Sequence, residues 1–405
     1  MARILVVGGS LGGLFAANIL HRAGHAVTVL EKATKSLDGR GAGIVTHAPM
    51  MTALTLAGAK SNADFGVTVS ARVCLDQQGN CIERLPLQQV LTSWSHLYCM
   101  LREVLPDECY VSGVLVERVD QDEHGVRAHC HDGRVFSGAM LVASDGLRSA
   151  IRLQLAPDAT PLYAGYVGWR GVCDEKLLSQ YTLDSIFNYF GFGMPDGEQL
   201  IGYPVAGANN SVTTNQRRFN FVWYRAADEI IALPALLSDA DGQHYPLGIP
   251  PNKVDWRQIA AMRSAARTLL APQFAEIIEK TEQPFLQPIF DLSSEQIHFG
   301  RIILMGDAAF VARPHVGMGV TKSAQDAMVL AESIAQHGAS AAAAAAYAAL
   351  QLPAGKAVVA RGRRLGAYLE HYASEKNNAT NYVTQRDTLQ VLRETAIDLS
   401  EGVMA

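Results

Sequence analysis

Three clusters of glycine and acid carry the residue types that chemistry needs. The first, Gly8-Gly9-Ser10-Leu11-Gly12-Gly13, follows the apolar run Ile4-Leu5-Val6-Val7 and precedes a helical pattern through Leu20 and His21. Glycines at such a strand-to-helix turn let the backbone approach a pyrophosphate. The phosphate charge then meets the free amides and positive dipole of the helix start. Gly8, Ser10, Leu11 and Gly13 are therefore candidate cofactor contacts, with the small Ser10 standing where the GxGxxG pattern has its middle glycine. About twenty residues on, Glu31 and Lys32 end a second predicted strand, where a carboxylate can accept hydrogen bonds from an adenosine ribose. The plain alternative is a tight glycine turn followed by a surface glutamate.

The second cluster is Ser144-Asp145-Gly146-Leu147-Arg148-Ser149 behind the apolar Leu141-Val142-Ala143. By itself it reads as an ordinary capped connection into a helix. The third is Gly306-Asp307-Ala308-Ala309 behind Ile302-Ile303-Leu304-Met305, then Pro314 and Gly317-Met318-Gly319 before a helix that contains Asp326. Here an acid leaves a buried strand end and a second helix start follows a glycine loop, an arrangement able to hold a polyol chain and an electron-rich ring edge.

The chain that must position these residues has 405 amino acids, enough for two or three domains. With 49% apolar and 18% charged residues it has the composition of a folded globular protein. The net charge of -5 and the lack of a basic block argue against a nucleic-acid partner. The N-terminus reads as a first strand instead of a signal peptide, and no apolar stretch is long enough to span a bilayer. Six cysteines without a Cys-x-x-Cys pair or zinc spacing predict reduced thiols, no metal site and a cytoplasmic location.

The pattern predicts an α/β fold. A Rossmann-like parallel-sheet domain is assembled from 1–71, 96–165 and 285–350, and a mainly antiparallel sheet is inserted as 72–95 and 166–284, where short alternating runs rich in Tyr, Phe and Trp dominate. Residues 351–405 are expected to form a C-terminal helical segment with a polar face that closes the molecule. The alanine run 341–346 favours helix and offers no chemistry.

Taken together, the order, spacing and strand-to-helix context of the three clusters resemble the FAD-dependent aromatic hydroxylases, the single-component flavoprotein monooxygenases of the para-hydroxybenzoate hydroxylase type. The likeness runs from residue 3 to about 335. The stretches Tyr163–Val172, Asn220–Tyr224 and Arg313-Pro314-His315 are similar to the 2,6-dihydroxypyridine 3-hydroxylase branch. The resemblance implies non-covalent FAD, NADH or NADPH as co-substrate, O2, and a small aromatic substrate that is a hydroxylated pyridine. It further implies oxygen transfer through a flavin C4a-hydroperoxide. By the same likeness Glu31 would bind the adenosine ribose and Arg102 would lie along the ribose and phosphates. Asp145 belongs to the second site, Asp307 would bind the ribityl and pyrophosphate region, and Arg40 with Gly43 would pass close to the flavin. Two departures stand out: Phe310 where the family often has His, and Thr321 where Asn is frequent.

Candidate catalytic residues are His47 and His315, whose imidazoles could take a proton from a substrate hydroxyl near neutral pH, with Tyr203 as a relay and Arg170 as a partner for an anionic oxygen. Each has a bland alternative: a backbone-satisfied or loop histidine, an aromatic in the core, an arginine paired with a carboxylate. A second glycine fingerprint for a nicotinamide donor is not found, so NAD(P)H is expected to bind transiently at the flavin. Two rival functions remain open at this point, a nicotinamide-dependent dehydrogenase and a flavin-bound redox sensor, and a homodimer is kept open as an assembly.

Overall fold

A computed structural model describes residues 1–39, 43–60, 65–246, 248–374 and 387–398. Ile4, Leu5, Val6 and Val7 are apolar without alternation, as a strand covered on both faces requires, and all four are buried. Their strand, Arg3–Val7, lies inside a six-stranded sheet between Met140–Ala143 and Ala26–Glu31. Ile302–Leu304 pairs in parallel on the far side of Met140–Ala143, Tyr110–Ser112 extends the other side in parallel, and His298–Phe299 adds one antiparallel edge. The helices Leu11–Arg22 and Gly319–His337 pack against each other over this sheet. The strands at 3–7, 140–143 and 302–304, far apart in the chain, are thereby adjacent, and the turns that follow them lie side by side.

A second sheet of nine strands forms the roof over these turns. Its centre is the antiparallel set Phe285–Ser293, Leu162–Asp174, Arg218–Ala226 and Gln199–Val205. Phe190–Gly193 then pairs in parallel with Val67–Leu75, which continues antiparallel to Cys81–Ser93 and on to Gly43–Val45. The roof therefore begins earlier in the chain than residue 72, which falls inside a continuous strand. Three residues at 43–45 are too few to show alternation, so only their pairing with Leu91–Ser93 reveals them as a strand. A small antiparallel sheet, Val116–Gln121, Val126–Cys130 and Val135–Gly138, stands apart from both.

The alanine run opens a helix that continues from Ala341 to Ser374 through Pro353, so no break occurs at residue 351. It is tied to the roof by charge. Asp291, buried in the strand Phe285–Ser293, is gripped by Arg313 at 2.8 Å and by Arg363 of this helix at 2.6 Å. A second, short helix, Thr388–Glu394, follows.

The first glycine turn is close-packed backbone against backbone. A Cβ on Gly13 would sit 1.9 Å from the Gly8 carbonyl oxygen, and one on Gly8 would sit 2.2 Å from the Ser144 carbonyl oxygen. Gly13→Ala should therefore cost about 1–3 kcal/mol of unfolding free energy through forced backbone displacement. Urea titration checks this, and an unchanged midpoint would show that the turn relaxes freely.

Candidate active site

Between the six-stranded floor and the nine-stranded roof lies a cavity of about 420 Å³. All three clusters open onto it: Ser10, Leu11 and Gly12 from the first, Ser144 and Gly146 from the second, and Asp307, Pro314, Gly317 and Gly319 from the third. The roof contributes Arg170, Phe190, Tyr203, Tyr224 and Gln287, and Gly43 closes one side.

The floor is built for a ligand with negative charge. The helix Leu11–Arg22 begins at Ser10 and the helix Gly319–His337 at Met318, and neither N-cap side chain bonds the first-turn amides. Two helix starts thus present unpaired N–H groups and the positive end of a dipole to one cavity. Gly146, at φ +84, and Gly319 have no heavy atom within 4 Å of a built Cβ, which leaves room for close approach. Asp145, at the start of the helix Ala150–Leu155, keeps one buried carboxylate oxygen without a partner in the protein, and burial raises its pKa.

Glu31 is buried at the end of its strand and accepts from the Gly9 amide at 2.7 Å and the Ala33 amide at 2.8 Å. It therefore fixes the glycine turn from behind as well as standing where a ribose is expected. Lys32 beside it is exposed. Arg102 bonds the Leu105 carbonyl and Asp107 and stacks over Tyr110 at 4.7 Å, while the Tyr110 hydroxyl donates to the Gly9 carbonyl. It supports the turn through one intervening ring and does not line the cavity. Arg40 lies outside the described residues.

Asp307 projects into the cleft, reached by solvent yet ringed by protein atoms, and that desolvation raises its carboxyl pKa; Lys322 works the other way. Beside it sits an ion pair that sequence reading did not single out, a fully buried Asp326 with Lys322, which reaches the cavity wall. Asp326 accepts from Lys322 Nζ at 2.7 Å and from the Gly306 amide at 2.9 Å, fixing Gly306 in its left-handed conformation at φ +60. The i,i+4 spacing of Lys322 and Asp326 was the available signal.

Of the candidate catalytic residues, Arg170 and Tyr203 line the cavity. Arg170 donates to the neutral Gln287 amide oxygen at 2.6 Å, its Nε has no partner, and among the described residues no carboxylate pairs with it. Tyr203 packs on Phe190 in a tilted pair with centroids 4.8 Å apart, and burial pushes its phenol up to about 12 against the opposing pull of Arg170. His47 and His315 do not line the cavity. His47 is buried, with Nδ1 2.9 Å from Thr321 Oγ1 and Nε2 3.4 Å from the Ala396 carbonyl. His315 is enclosed, with Nε2 3.0 Å from the Tyr166 hydroxyl and its ring against Tyr224. Both hold the walls from one layer behind, and Thr321, the departure from Asn, is the partner of His47.

Paired helix starts for phosphates, acids for hydroxyls and glycines for close contact fit an extended flavin dinucleotide. Residues 1–68 match the FAD binding domain family and residues 163–291 the FAD binding domain-like family. With full-length relatives in agreement, the chain belongs to the FAD-dependent aromatic hydroxylases and is a flavoprotein monooxygenase. It is 30% identical over 377 residues to 2,6-dihydroxypyridine 3-monooxygenase of Paenarthrobacter nicotinovorans, covering 92% of each chain. It is 29% identical to aurachin C monooxygenase/isomerase of Stigmatella aurantiaca over 90% of this chain and 88% of that one. The solved structure of 2,6-dihydroxypyridine-3-hydroxylase from Arthrobacter nicotinovorans superposes with a TM-score of 0.86 at 28% identity, over 92% of this chain and 93% of that chain. The dehydrogenase alternative falls with these matches.

Two outcomes follow from the site. Asp307→Ala should weaken FAD binding about tenfold or more through loss of a charged hydrogen-bonding group, with secondary structure unchanged; fluorescence titration of the apoprotein measures it. His47 bears on acid stability. Burial is the main cause of its lowered pKa, opposed by the Ala396 carbonyl and Asp398 and assisted by Arg72 and Arg361. With its folded value below the unfolded one, its contribution is present above the unfolded pKa and is lost as pH falls through the folded value. His47→Asn should therefore lose less Tm than the wild type between about pH 7 and 5.

Proposed function

We propose that this monooxygenase hydroxylates a small, electron-rich N-heteroaromatic ring, a hydroxylated pyridine, using O2 and NADH or NADPH. The observation that carries the reading is Arg170. A cation in a cavity wall, bound to a neutral amide and not to a carboxylate, is suited to an anionic oxygen on the substrate. The name of the 2,6-dihydroxypyridine 3-monooxygenase relative points to the same ring class.

FAD, when bound, supplies the redox chemistry, taking hydride from the nicotinamide and activating O2. The chain's own residues do the rest. Ser10, Gly12, Gly146 and Asp307 hold the dinucleotide along the floor, with Gly8, Gly13 and Glu31 shaping the turn beneath it. The start of the helix Gly319–His337 offsets negative charge on a ring held beside Pro314 and Gly317. From the roof Arg170 favours the ionised form of a substrate hydroxyl, which enriches the ring in electrons, while Tyr203, Tyr224 and Phe190 exclude water. Tyr203 stays protonated and can donate a hydrogen bond. His47 and His315 act as positioning residues through Thr321 and Tyr166. In this reading the parallel sheet carries the cofactor and the nine-stranded sheet the substrate, and the nicotinamide donor visits without a domain of its own. Six unpaired cysteines support a cytoplasmic setting.

The purified protein should be yellow and release FAD on denaturation without covalent residue. Hydroxypyridines should stimulate both NADH oxidation and oxygen uptake, and product should form; a flavin that reoxidises without ligand-stimulated oxygen use would favour the redox sensor. Arg170→Met should raise KM about tenfold or more for the ionisable substrate and increase the fraction of NADH lost to hydrogen peroxide. Equal kinetics in both proteins would remove Arg170 from the substrate site.

A further inference from the structure

The segment Asp387–Asp398 lies at the seam between floor and roof. After the helix Thr388–Glu394, Thr395 and Ala396 turn inward and line the cavity. The turn is held by Arg72, fully buried in the roof strand Val67–Leu75. Its guanidinium donates to the carbonyls of Leu392 at 2.5 Å, of Thr395, and of Ala396 at 3.1 Å, and its other edge donates to Gln89 Oε1. Its charge is thus directed at the last carbonyls of a helix and the turn after it, the favourable end of the helix dipole. The same guanidinium lies 5.0 Å from the centre of the Phe190 ring, which packs on Tyr203. From the floor side, the Ala396 amide donates to the His315 carbonyl at 2.9 Å. Ala396 itself takes φ +51, a left-handed conformation uncommon for alanine. Contacts from both walls therefore fix the position of this short stretch.

A second, independent observation gives the stretch a purpose. Thr395 is 1% exposed, and its hydroxyl oxygen has no hydrogen-bond partner in the protein. A buried hydroxyl left without a partner is unfavourable, and valine would fill the same volume without that cost. A threonine at the cavity wall with a free hydroxyl is accounted for by a ligand that completes the bond. We propose that the Thr395 hydroxyl is a specificity-determining contact to a polar group of the ring substrate, and that Arg72 is the positioning residue that holds it there. The proposal rests on the hydroxylase reading above and adds to it a substrate contact from the C-terminal segment.

The test uses the full-length holoenzyme, NADH and 2,6-dihydroxypyridine as the probe, with KM and kcat from initial rates and the probe's Kd from calorimetry. Thr395→Val should raise KM and Kd about tenfold while FAD content stays at the wild-type value and Tm does not fall, and Thr395→Ser should restore both constants. Arg72→Met should raise KM as well, and adding Thr395→Val to it should produce no further rise, since the hydroxyl is already displaced. Unchanged KM and Kd in Thr395→Val overturn the contact. So does a loss of FAD affinity without a change in probe binding, which would assign the hydroxyl to the cofactor. Multiplicative effects in the double variant overturn the role of Arg72. If Arg72→Met does not fold, the Thr395 pair decides alone. A wild-type enzyme that neither binds nor hydroxylates the probe defeats the hydroxypyridine reading and this contact together, whereas an active wild type with an indifferent Thr395→Val defeats only the contact.

Discussion

Three neighbouring parallel strands end in turns packed so tightly that only backbone and small serine side chains fit between them. Gly8 lies against the Ser144 backbone, Gly12 against Ser144 and Ser323, and Gly306 against Ser323. Everything on the floor follows from this contact. The two helix starts converge on one cavity because the turns feeding them touch, and the acids that leave the strand ends emerge on the same side. A single ordinary side chain in this layer would separate the clusters into three unrelated loops.

That constraint explains why the floor could be read from sequence. A glycine marks its turn whatever distant residue it packs against, so Gly8–Gly13, Gly146 and Gly317–Gly319 reveal themselves in the linear chain beside apolar strand ends, and the parallel sheet follows from their context. The roof was legible in kind, through alternating aromatic runs, and less so in extent. Gly43–Val45 carries no pattern of its own, and the strands at 116–130 show nothing that distinguishes them from a polar loop. The C-terminal segment expected to begin at residue 351 is not separate, because the helix Ala341–Ser374 runs through that position.

The candidate site divides in the same way. Arg170 and Tyr203 lie at positions of the roof strands that face inward, and their residue types suited a cavity. His47 and His315 have suitable chemistry and unsuitable directions, because an imidazole reaches wherever its backbone points it, and these two point into Thr321 and Tyr166. Arg72 and Thr395 were silent. More than three hundred residues separate them, and what joins them is a guanidinium on a backbone carbonyl, a pairing that leaves no mark on the identity of the accepting residue. Lys322 and Asp326 stand between these cases: their spacing was visible, but only burial turns an ordinary helix-surface pair into the support for Gly306.

The pairing of residues 3–7 with 140–143, and of these with 302–304, has a consequence for how the protein is made. On the ribosome the strand at 3–7 is made well before the other two, and its sheet lacks the third of these strands until 302–304 has been synthesised. Until then an apolar strand edge at 140–143 waits uncovered, and contacts of such long range are slow to form and prone to association with other chains. The stretch that lines the seam, at 387–398, is made later still, and a nascent chain interrupted before it presents an open cleft to whatever binds exposed strand edges.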